Sequence, residues 1–246
     1  MPTYKSTVEE IRQRFDAETD CYTNLETGQI ATVDALIAMN LVAEAASVTT
    51  PHAATMLDVG CGGGNYTLKL LERLPNLNVT LIDLSQVMLD HATRRVRPKT
   101  TGSVNAIQAD IRELNLGRNC FDIIVASAVL HHLRTDDEWQ SVFQKLHDTL
   151  KPGGSFWIFD IVESPLPEVQ AIHWRRYSEY LIEVGGEVYR DELFNRIIEE
   201  DTPRSVPYQL NLLREVGFSE VELLHKNSCY AAFGALKRRV GQDIAN

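Results

Sequence analysis

The sequence predicts an α/β fold, in which helices cover a mostly parallel seven-stranded sheet that is completed by an antiparallel edge strand. From Thr55 onward, short β-branched and apolar runs alternate with helical patterns, which is typical of parallel βαβ units. Near the carboxyl terminus, two apolar runs lie only a few residues apart, and such a short connection favours an antiparallel hairpin over another crossover.

The individual elements can be placed on the sequence from these patterns. The expected strands are Met56–Val59, Val79–Ile82, Val104–Gln108, Phe121–Ala126, Phe156–Phe159, Glu220–Leu224 and Ser228–Leu236. The expected helices are Tyr66–Leu74, Gln86–Arg95, Asp136–Leu150 and Tyr208–Val216. The third helix begins with a capping-box pattern at Thr135 and Glu138 and ends at Lys151-Pro-Gly-Gly, which turns the chain.

Two helical additions are expected around this sheet. Residues 1–50 are predicted to form helices, with a loop at Asn24–Gln29, that cover the open edge of a ligand cleft. Residues 51–246 are predicted to form the α/β domain itself. The composition changes after Asp160, where Pro165 and Pro167 break the pattern, and this indicates a helical lid inserted at about residues 163–203.

Size, charge and composition limit the classes of function. A chain of 246 residues with 44% apolar content can bury one sizeable core. Its formal net charge of -10 disfavours direct binding of nucleic acid and of anionic membranes. No apolar run approaches the roughly 20 residues that span a bilayer, and no signal peptide is evident, so we expect a cytoplasmic protein. The four cysteines are far apart without metal-ligand spacing, so no metal site is expected.

A glycine-rich loop follows the first predicted strand and opens the next helix. It contains Gly60, Cys61, Gly62 and Gly64, and its glycines let the backbone turn tightly and approach a ligand. The spacing departs from the dinucleotide fingerprint, since a third small residue is missing at the position where that fingerprint has one. Asp58, just before the loop, would repel a pyrophosphate and attract a cationic amino group.

The segment from about residue 55 to residue 160 resembles the class I S-adenosylmethionine methyltransferases. Their first motif, D-x-G-x-G-x-G, is matched by Asp58, Gly60, Gly62 and Gly64. Residues 121–133 resemble the fourth motif of the family, and residues 151–154 resemble the turn before its fifth strand. The resemblance implies a Rossmann-like methyltransferase sandwich, S-adenosylmethionine as cofactor, and in-line methyl transfer to a small-molecule acceptor.

The resemblance also assigns roles around the cofactor. Asp83, at the end of the second strand, is expected to accept hydrogen bonds from both ribose hydroxyls. Leu84 and Met88 are expected to pack on the adenine, although ordinary core packing would also explain them. Asp110, with the backbone N–H of Ile111, is expected to bind the adenine edge, and a helix-capping role for Asp110 is the alternative.

Other residues are expected near the methionine part of the cofactor. In the resemblance, backbone groups of Ala126 and Ser127 face the methionine moiety and the sulfonium. The predicted amino-terminal helices should cover this end, which makes Arg14, Tyr22 and Gln29 candidates for holding the methionine carboxylate.

The acceptor side is expected at the carboxyl ends of strands four and five. His132 is predicted to act as a general base, and His131 to contact the acceptor. Asp160 is predicted either to orient the acceptor or to satisfy a neighbouring backbone group. Because methyl transfer chiefly requires alignment, a base is needed only when the acceptor has a proton to lose.

The lid helix carries aromatic and basic residues that are expected to bind the acceptor. These residues are Trp174, Arg175, Tyr177, Tyr180 and Arg190. The competing interpretation is an amphipathic packing or dimer helix, and the apolar surface of this segment predicts a homodimer.

A second resemblance leaves an alternative function open. Residues 14–16, 189–190, 213–218 and 229–237 are similar to the carboxy-S-adenosylmethionine synthases of tRNA wobble-uridine modification. In those enzymes an arginine pairs with the extra carboxylate of carboxy-S-adenosylmethionine, and Arg190 aligns with it here. A third alternative is a non-catalytic protein that binds S-adenosylmethionine.

Overall fold

The computed structural model describes residues 5–18 and 29–238, and within them seven strands form a single sheet. The strands are β1 (Thr55–Val59), β2 (Asn78–Asp83), β3 (Val104–Gln108), β4 (Phe121–Ser127), β5 (Leu150–Ile161), β6 (Glu220–Asn227) and β7 (Tyr230–Leu236). The helices are α1 (Val8–Ala17), α2 (Ala35–Thr49), α3 (Asn65–Leu71), α4 (Gln86–Val96), α5 (Asp136–Thr149), α6 (Pro167–Glu200) and α7 (Val206–Glu215).

The sheet has the order β3-β2-β1-β4-β5-β7-β6. Strands β1 to β5 pair in parallel, whereas β7 runs antiparallel to both β5 and β6. The predicted fold class is therefore confirmed, with the β6–β7 hairpin closing one edge. Strand order reverses between β1 and β4, and open α/β sheets bind ligands at such a switch point.

Helices cover both faces of the sheet. One face packs against α2, α3 and α4 through a cluster that includes Met39, Leu70 and Leu89. The other face packs against α5 and α7, with Trp139 and Phe143 at its centre. Because the central strands are buried on both faces, they read in the sequence as nearly continuous apolar runs.

Most predicted boundaries agree with the structure to within a few residues. Helix α3 ends at Leu71 rather than at the predicted Leu74. Leu74 precedes Pro75, and the residue before a proline avoids the helical conformation. Strand β5 begins at Leu150, before the predicted turn, because Leu150 pairs with Phe121.

The amino-terminal helices divide between two roles. Helix α2 buries Ala38, Met39 and Val42 against the sheet, so it belongs to the domain core rather than to the predicted cap over the cleft. Helix α1 begins with a capping box at Thr7 and is tied to the end of α6, where the Ser6 N–H donates to the Glu199 carbonyl at 2.9 Å. Among the amino-terminal residues that the structure describes, those that line the cleft therefore belong to α1, to Glu18 just after it and to residues 29–32 before α2.

The lid predicted after β5 is the long helix α6. Its φ/ψ angles become non-helical at Gly186 (φ 86°), so the helix kinks there and continues through residues 187–200. Tyr177 and Leu181 of the first segment are buried in the core. Among the described residues, no helix is both long enough and apolar enough to cross a membrane.

Candidate functional site

A cavity of about 810 Å³ lies at the carboxyl edge of the sheet, next to the switch between β1 and β4. One wall is formed by the loops that follow β1 to β4. The opposite wall is formed by α1, residues 29–32 and the second segment of α6. Ligand sites for small molecules have volumes of roughly 300–1,000 Å³, so this cavity suits a cofactor together with a small acceptor.

The glycine loop shapes the cavity floor. Gly60, Gly62 and Gly64 all have positive φ angles, of 65°, 48° and 76°. A Cβ atom on Gly60 would lie 2.4 Å from a Val129 methyl carbon, whereas one on Gly62 would meet nothing within 4 Å. Gly62 therefore leaves open space for a ligand, and Gly60 permits close packing beneath it.

Not every loop residue predicted at the cofactor faces the cavity. Gly60, Cys61 and Gly62 line it, but Gly64 acts as the N-cap of α3. Ala126 is fully buried within β4, so only its neighbour Ser127 reaches the cavity wall. The structure therefore corrects the placement of Gly64 and Ala126, which support the loop and the strand beneath the site.

Asp83 ends β2 with its carboxylate fixed by backbone amides. One oxygen accepts from the Gly62 N–H at 2.8 Å, and the other accepts from the Ser85 N–H at 2.9 Å. Burial raises the pKa of Asp83, against the effect of these amide hydrogen bonds. A carboxylate offers about four acceptor sites, so both oxygens can still accept ribose hydroxyls. The geometry fits the predicted role.

Asp58 lies deeper, at the end of β1, with 2% of its surface exposed. Its carboxylate accepts a hydrogen bond from the Thr67 hydroxyl at 2.6 Å. Burial, assisted by the charge of Asp83 and opposed by Thr67, raises the pKa of Asp58 to about 6. A bound cation would offset this desolvation, so the position fits a cofactor that carries an ammonium and a sulfonium group.

The adenine end of the predicted cofactor site is also assembled. Leu84, Met88 and Ile111 all line the cavity. Asp110 accepts from the Arg112 guanidinium at 2.6 Å and from the Arg112 N–H at 2.9 Å. Burial alone would raise the pKa of Asp110, but the Arg112 hydrogen bonds outweigh it and lower that pKa. Arg112, which the sequence analysis did not single out, thus keeps Asp110 ionised.

Asp160 lies behind the cavity wall rather than in it. It is 1% exposed at the end of β5, and it accepts hydrogen bonds from the backbone N–H groups of His131 at 3.1 Å and Ile161 at 2.8 Å. Its other contact is with His131 Nδ1. The prediction that Asp160 orients the acceptor is therefore not supported. The alternative prediction, that Asp160 satisfies neighbouring backbone groups, agrees with these hydrogen bonds. Asp160 positions His131.

The two histidines on the turn after β4 both line the cavity but differ in charge. Burial opposes protonation of His131, but the charges of Asp160 and Asp201 outweigh it and raise the pKa of His131 to about 9. Burial, together with the charges of His131 and Arg14, holds the pKa of His132 well below its usual range. His131 is therefore a cation at neutral pH, and His132 is neutral.

His132, which was predicted from the sequence, lies next to Asp201, which was not. Neither ring nitrogen of His132 has a hydrogen-bond partner among the described residues, and both are buried. Asp201 follows α6 directly, and its Oδ1 lies 3.4 Å from His132 Nδ1. Burial raises the pKa of Asp201 to about 6, while His131 acts to lower it. No local pattern marks Asp201, because only the return of α6 brings it here.

The lid residues predicted to bind the acceptor separate into two groups. Tyr177 lines the cavity, and its hydroxyl donates to the Ala31 carbonyl at 2.9 Å. Trp174, Arg175, Tyr180 and Arg190 do not line it. This corrects their predicted placement, and their contacts explain why.

Each of these four side chains has contacts elsewhere. Trp174 packs against the core beside Tyr177, and the Tyr180 hydroxyl donates to the Ile30 carbonyl at 2.7 Å. Arg175 pairs at the surface with Glu179 at 2.8 Å. Arg190 donates to the Ser178 hydroxyl at 2.8 Å and pairs with Asp191.

The acceptor wall is built instead by residues the sequence analysis did not assign to it. Tyr189, Leu193 and Ile197 follow one another at four-residue spacing along the second segment of α6 and face the cavity. This apolar stripe is a helical signal that could have been found in the sequence. Tyr230 of β7 also lines the cavity, and only the pairing of β7 with β5 places it there.

The candidates for the methionine carboxylate have different environments. The Arg14 guanidinium donates to the Glu200 carboxylate through two nitrogens, one of them at 2.7 Å, and it lines the cavity. Gln29 also lines the cavity, and its buried Oε1 has no hydrogen-bond partner within the described ranges. Tyr22 lies outside the described residues.

Charge in the cavity is predominantly negative. Three arginines line it, together with a larger set of carboxylates, which are Glu18, Asp58, Asp83, Asp110, Glu192, Glu200 and Asp201. A cavity of this charge attracts a cationic ligand, which agrees with S-adenosylmethionine as the cofactor.

Comparison with known proteins identifies the same fold and motifs. Residues 56–154 match a family model described as a methyltransferase domain. The chain is 33% identical over 100 residues to malonyl-acyl-carrier-protein O-methyltransferase from Priestia megaterium, which is 41% of this chain and 34% of that protein. It thus spans about a third of that relative's length.

Two further similarities extend over most of the chain. The carboxy-S-adenosyl-L-methionine synthase of Campylobacter lari is 27% identical over 212 residues, which are 81% of this chain and 84% of that protein. The 1,6-didemethyltoxoflavin-N1-methyltransferase of Burkholderia thailandensis has the same fold, with a TM-score of 0.63, 18% identity, and coverage of 97% of this chain and 93% of that one. Together with the motif at Asp58, these similarities show a class I S-adenosylmethionine-dependent methyltransferase domain at residues 56–154, and S-adenosylmethionine is the cofactor of such domains.

Proposed function

We propose that this chain transfers the methyl group of S-adenosylmethionine to a small, largely apolar acceptor held beneath α6. One observation carries the proposal: a single cavity joins Asp58 and Asp83 to Tyr189 and Leu193 of the lid. A cofactor held at the two aspartates would share this space with an acceptor at the lid.

The lining beyond the cofactor region supports an apolar acceptor. Aromatic rings of Phe159, Tyr177 and Tyr230 lie next to one another there, with Phe159 stacked on Tyr230 at 5.8 Å between ring centroids. Together with Leu193 and Ile197, these rings form a surface that flat, apolar molecules can contact.

The covering of the cavity favours a small acceptor over a macromolecule. Helix α1 is tied to the end of α6 by the Arg14–Glu200 ion pair and by the hydrogen bond from Ser6 to Glu199. A polymer would have to displace this cover, whereas a small molecule fits beneath it. The negative charge of the protein disfavours nucleic acid as well.

The residues act mainly by alignment. S-adenosylmethionine supplies the methyl group, and Asp83 and Asp58 would hold its ribose and its cationic end. The aromatic wall would position the acceptor in line and exclude water. The loss of the sulfonium charge during transfer is favoured where water is scarce. His131 and His132 occupy the wall beside the acceptor, where the predicted proton removal by His132 stays a prediction.

A transfer assay tests the proposal directly. The protein is incubated with S-adenosylmethionine carrying a deuterated methyl group and with pools of hydroxylated and amino-substituted aromatic compounds, and products are detected by mass spectrometry. Labelled small molecules would support the proposal. Label found only in added tRNA or protein, or release of no S-adenosylhomocysteine with any pool, would refute it.

The carboxy-S-adenosylmethionine synthase alternative is supported by similarity along the chain, but not by the residue expected to carry it. Arg190 contacts Ser178 and Asp191 and does not line the cavity. Native mass spectrometry of the purified protein separates the alternatives, because a carboxylated cofactor is heavier than S-adenosylmethionine. A non-catalytic protein would retain the cofactor without turnover. The homodimer and the cytoplasmic location stay predictions.

A further inference from the structure

We propose that His131, His132 and Asp201 form a binding site for a divalent transition-metal ion of the zinc class on the acceptor wall of the cavity. The proposed use of the ion, to hold the reacting oxygen or nitrogen of the acceptor, rests on the methyl-transfer function proposed above. The binding of the ion itself can be tested without any turnover.

The separations of the three side chains match those of metal ligands. Asp201 Oδ1 lies 3.6 Å from His131 Nε2 and 3.4 Å from His132 Nδ1. Ligand atoms of all three residues lie within 4.8 Å of one another. Ligands about 2.0–2.2 Å from a tetrahedral zinc ion are roughly 3.3–3.6 Å apart. The cluster therefore needs little movement to surround an ion.

His131 is oriented as a metal-binding histidine commonly is. Its Nδ1 contacts the buried Asp160 carboxylate, which leaves Nε2 turned toward Asp201. An ion that binds at Nε2 would displace the proton that this nitrogen carries in the charged form of His131, and that proton would be released to solvent. Carboxylates that hold the second nitrogen of a ligand histidine set its tautomer and its ring orientation. The second Asp160 oxygen also accepts from the His131 N–H, so both the ring and the backbone of this residue are held.

His132 supplies an independent indication of a missing partner. Both of its ring nitrogens are buried, and neither forms a hydrogen bond within the described residues. A buried polar atom without a partner is costly. Coordination through Nδ1 would satisfy one of these nitrogens.

Asp201 is held close to the histidines by the backbone around it. The neighbouring Thr202 N–H donates to the His131 carbonyl at 2.7 Å. Lys5 donates to the Asp201 carbonyl from the amino-terminal segment. The third ligand therefore lies on a fixed segment at the end of the lid, although it is 69 positions from His132 in the chain.

The ligand set selects the kind of ion and its use. Two imidazoles and one carboxylate suit Zn²⁺, Fe²⁺ or Co²⁺ better than Mg²⁺ or Ca²⁺, which prefer oxygen ligands. Three protein ligands leave a position for a small molecule, and all three of these residues line the cavity. An acceptor hydroxyl bound there would lose its proton to solvent more readily. Its oxygen then takes the methyl group, while the sulfur leaves with the bonding electron pair as a thioether.

Cobalt is the probe for the test. The chelator-treated protein is saturated with S-adenosylmethionine and titrated with Co²⁺, and visible ligand-field absorption is recorded. We expect bands that saturate at one Co²⁺ per chain and disappear when Zn²⁺ is added. The His132→Gln and Asp201→Asn substitutions should abolish the bands, and Asp160→Asn should weaken Co²⁺ binding about 10–100-fold. S-adenosylmethionine binding to each variant reports that it is folded.

A matched control distinguishes the cluster from histidine–aspartate pairs elsewhere. His225 pairs with Asp34 at 2.8 Å outside the cavity, so His225→Gln should leave the cobalt bands unchanged. Wild-type protein that shows only the spectrum of aqueous Co²⁺, or bands that persist in both ligand variants, would overturn the proposal. Cobalt binding without methyl transfer would instead retain the site and reject the proposed function.

Discussion

Replacement of Asp83 by alanine is the sharpest test of the cofactor site. The Asp83 carboxylate stands at the end of β2 and is fixed from one side by the amides of Gly62 and Ser85. Asp83 lines the cavity, so ribose hydroxyls of a bound cofactor would donate to the remaining acceptor sites on its two oxygens. Alanine removes both hydrogen bonds to the ribose and leaves the two amides without their acceptor.

The size of the effect follows from these contacts. Each charge-assisted hydrogen bond contributes about 1.5–3 kcal/mol, so the loss of two predicts a binding penalty of about 3–6 kcal/mol. At about 1.4 kcal/mol for each tenfold change in affinity, the dissociation constant should rise by at least about 100-fold. Asp83→Asn keeps one acceptor oxygen and the side-chain shape, so its loss of affinity should be smaller.

Isothermal titration calorimetry with S-adenosylhomocysteine measures this change without turnover. Asp90 on α4 is an exposed aspartate that accepts a hydrogen bond from the Gln86 side chain at 2.7 Å, so Asp90→Ala is the matched control. Circular dichroism of each variant reports the integrity of the fold. If Asp83→Ala binds within about threefold of wild type, a difference of less than about 0.7 kcal/mol, the ribose assignment is wrong.

Three further predictions test the rest of the site. The pKa of Asp58 is raised to about 6, and a cationic cofactor favours its ionised carboxylate. The affinity for S-adenosylmethionine should therefore fall as the pH drops below 6 and level off above pH 7. An affinity that calorimetry finds unchanged between pH 5 and pH 7 would contradict this. Gly60→Ala would place a side chain on a residue with a φ of 65° and bring its Cβ within 2.4 Å of a Val129 methyl carbon. The substitution should therefore lower the free energy of unfolding by about 1–3 kcal/mol, measured by urea denaturation. Unchanged stability would show that the loop adjusts freely. Arg14→Ala leaves the buried Glu200 carboxylate without its arginine partner and should destabilise the protein by about 1–3 kcal/mol. The control is Arg175→Ala, which removes an exposed ion pair with Glu179 and should change the stability by under about 0.5 kcal/mol. Equal effects of the two arginines would mean that α1 is not held by this ion pair.

The residues expected at the cofactor could be predicted from the sequence because short segments of the chain determine their positions. Asp58, the glycine loop and Asp83 each sit at the end of a strand, within a few residues of the turn that orients them. A strand, a turn with positive φ angles and a helix suffice to aim these groups at one cavity. Their spacing along the chain therefore carries most of the geometric information.

The acceptor side shows the opposite case. The change of composition after Asp160 and the prolines Pro165 and Pro167 predicted a helical lid, and α6 is a helix, but this pattern did not reveal the kink at Gly186 or which face of each segment lines the cavity. Arg175 was expected at the acceptor because an arginine on the lid can bind a carboxylate, and Arg190 because it aligns with a carboxylate-binding arginine in the second resemblance. Their side chains instead pair with Glu179 and Asp191. The facing stripe instead begins at Tyr189, beyond the kink.

By itself, the sequence determined the α/β class, the parallel strands, the cofactor motif and the residues that present it, because these depend on periodicity and on turns of a few residues. Only the tertiary structure decided that Asp160 lies behind His131, that Asp201 and Tyr230 reach the cavity, and that Arg14 pairs with Glu200. Those contacts join residues separated by up to 186 positions, and they form only when helix packing and strand order bring distant segments together.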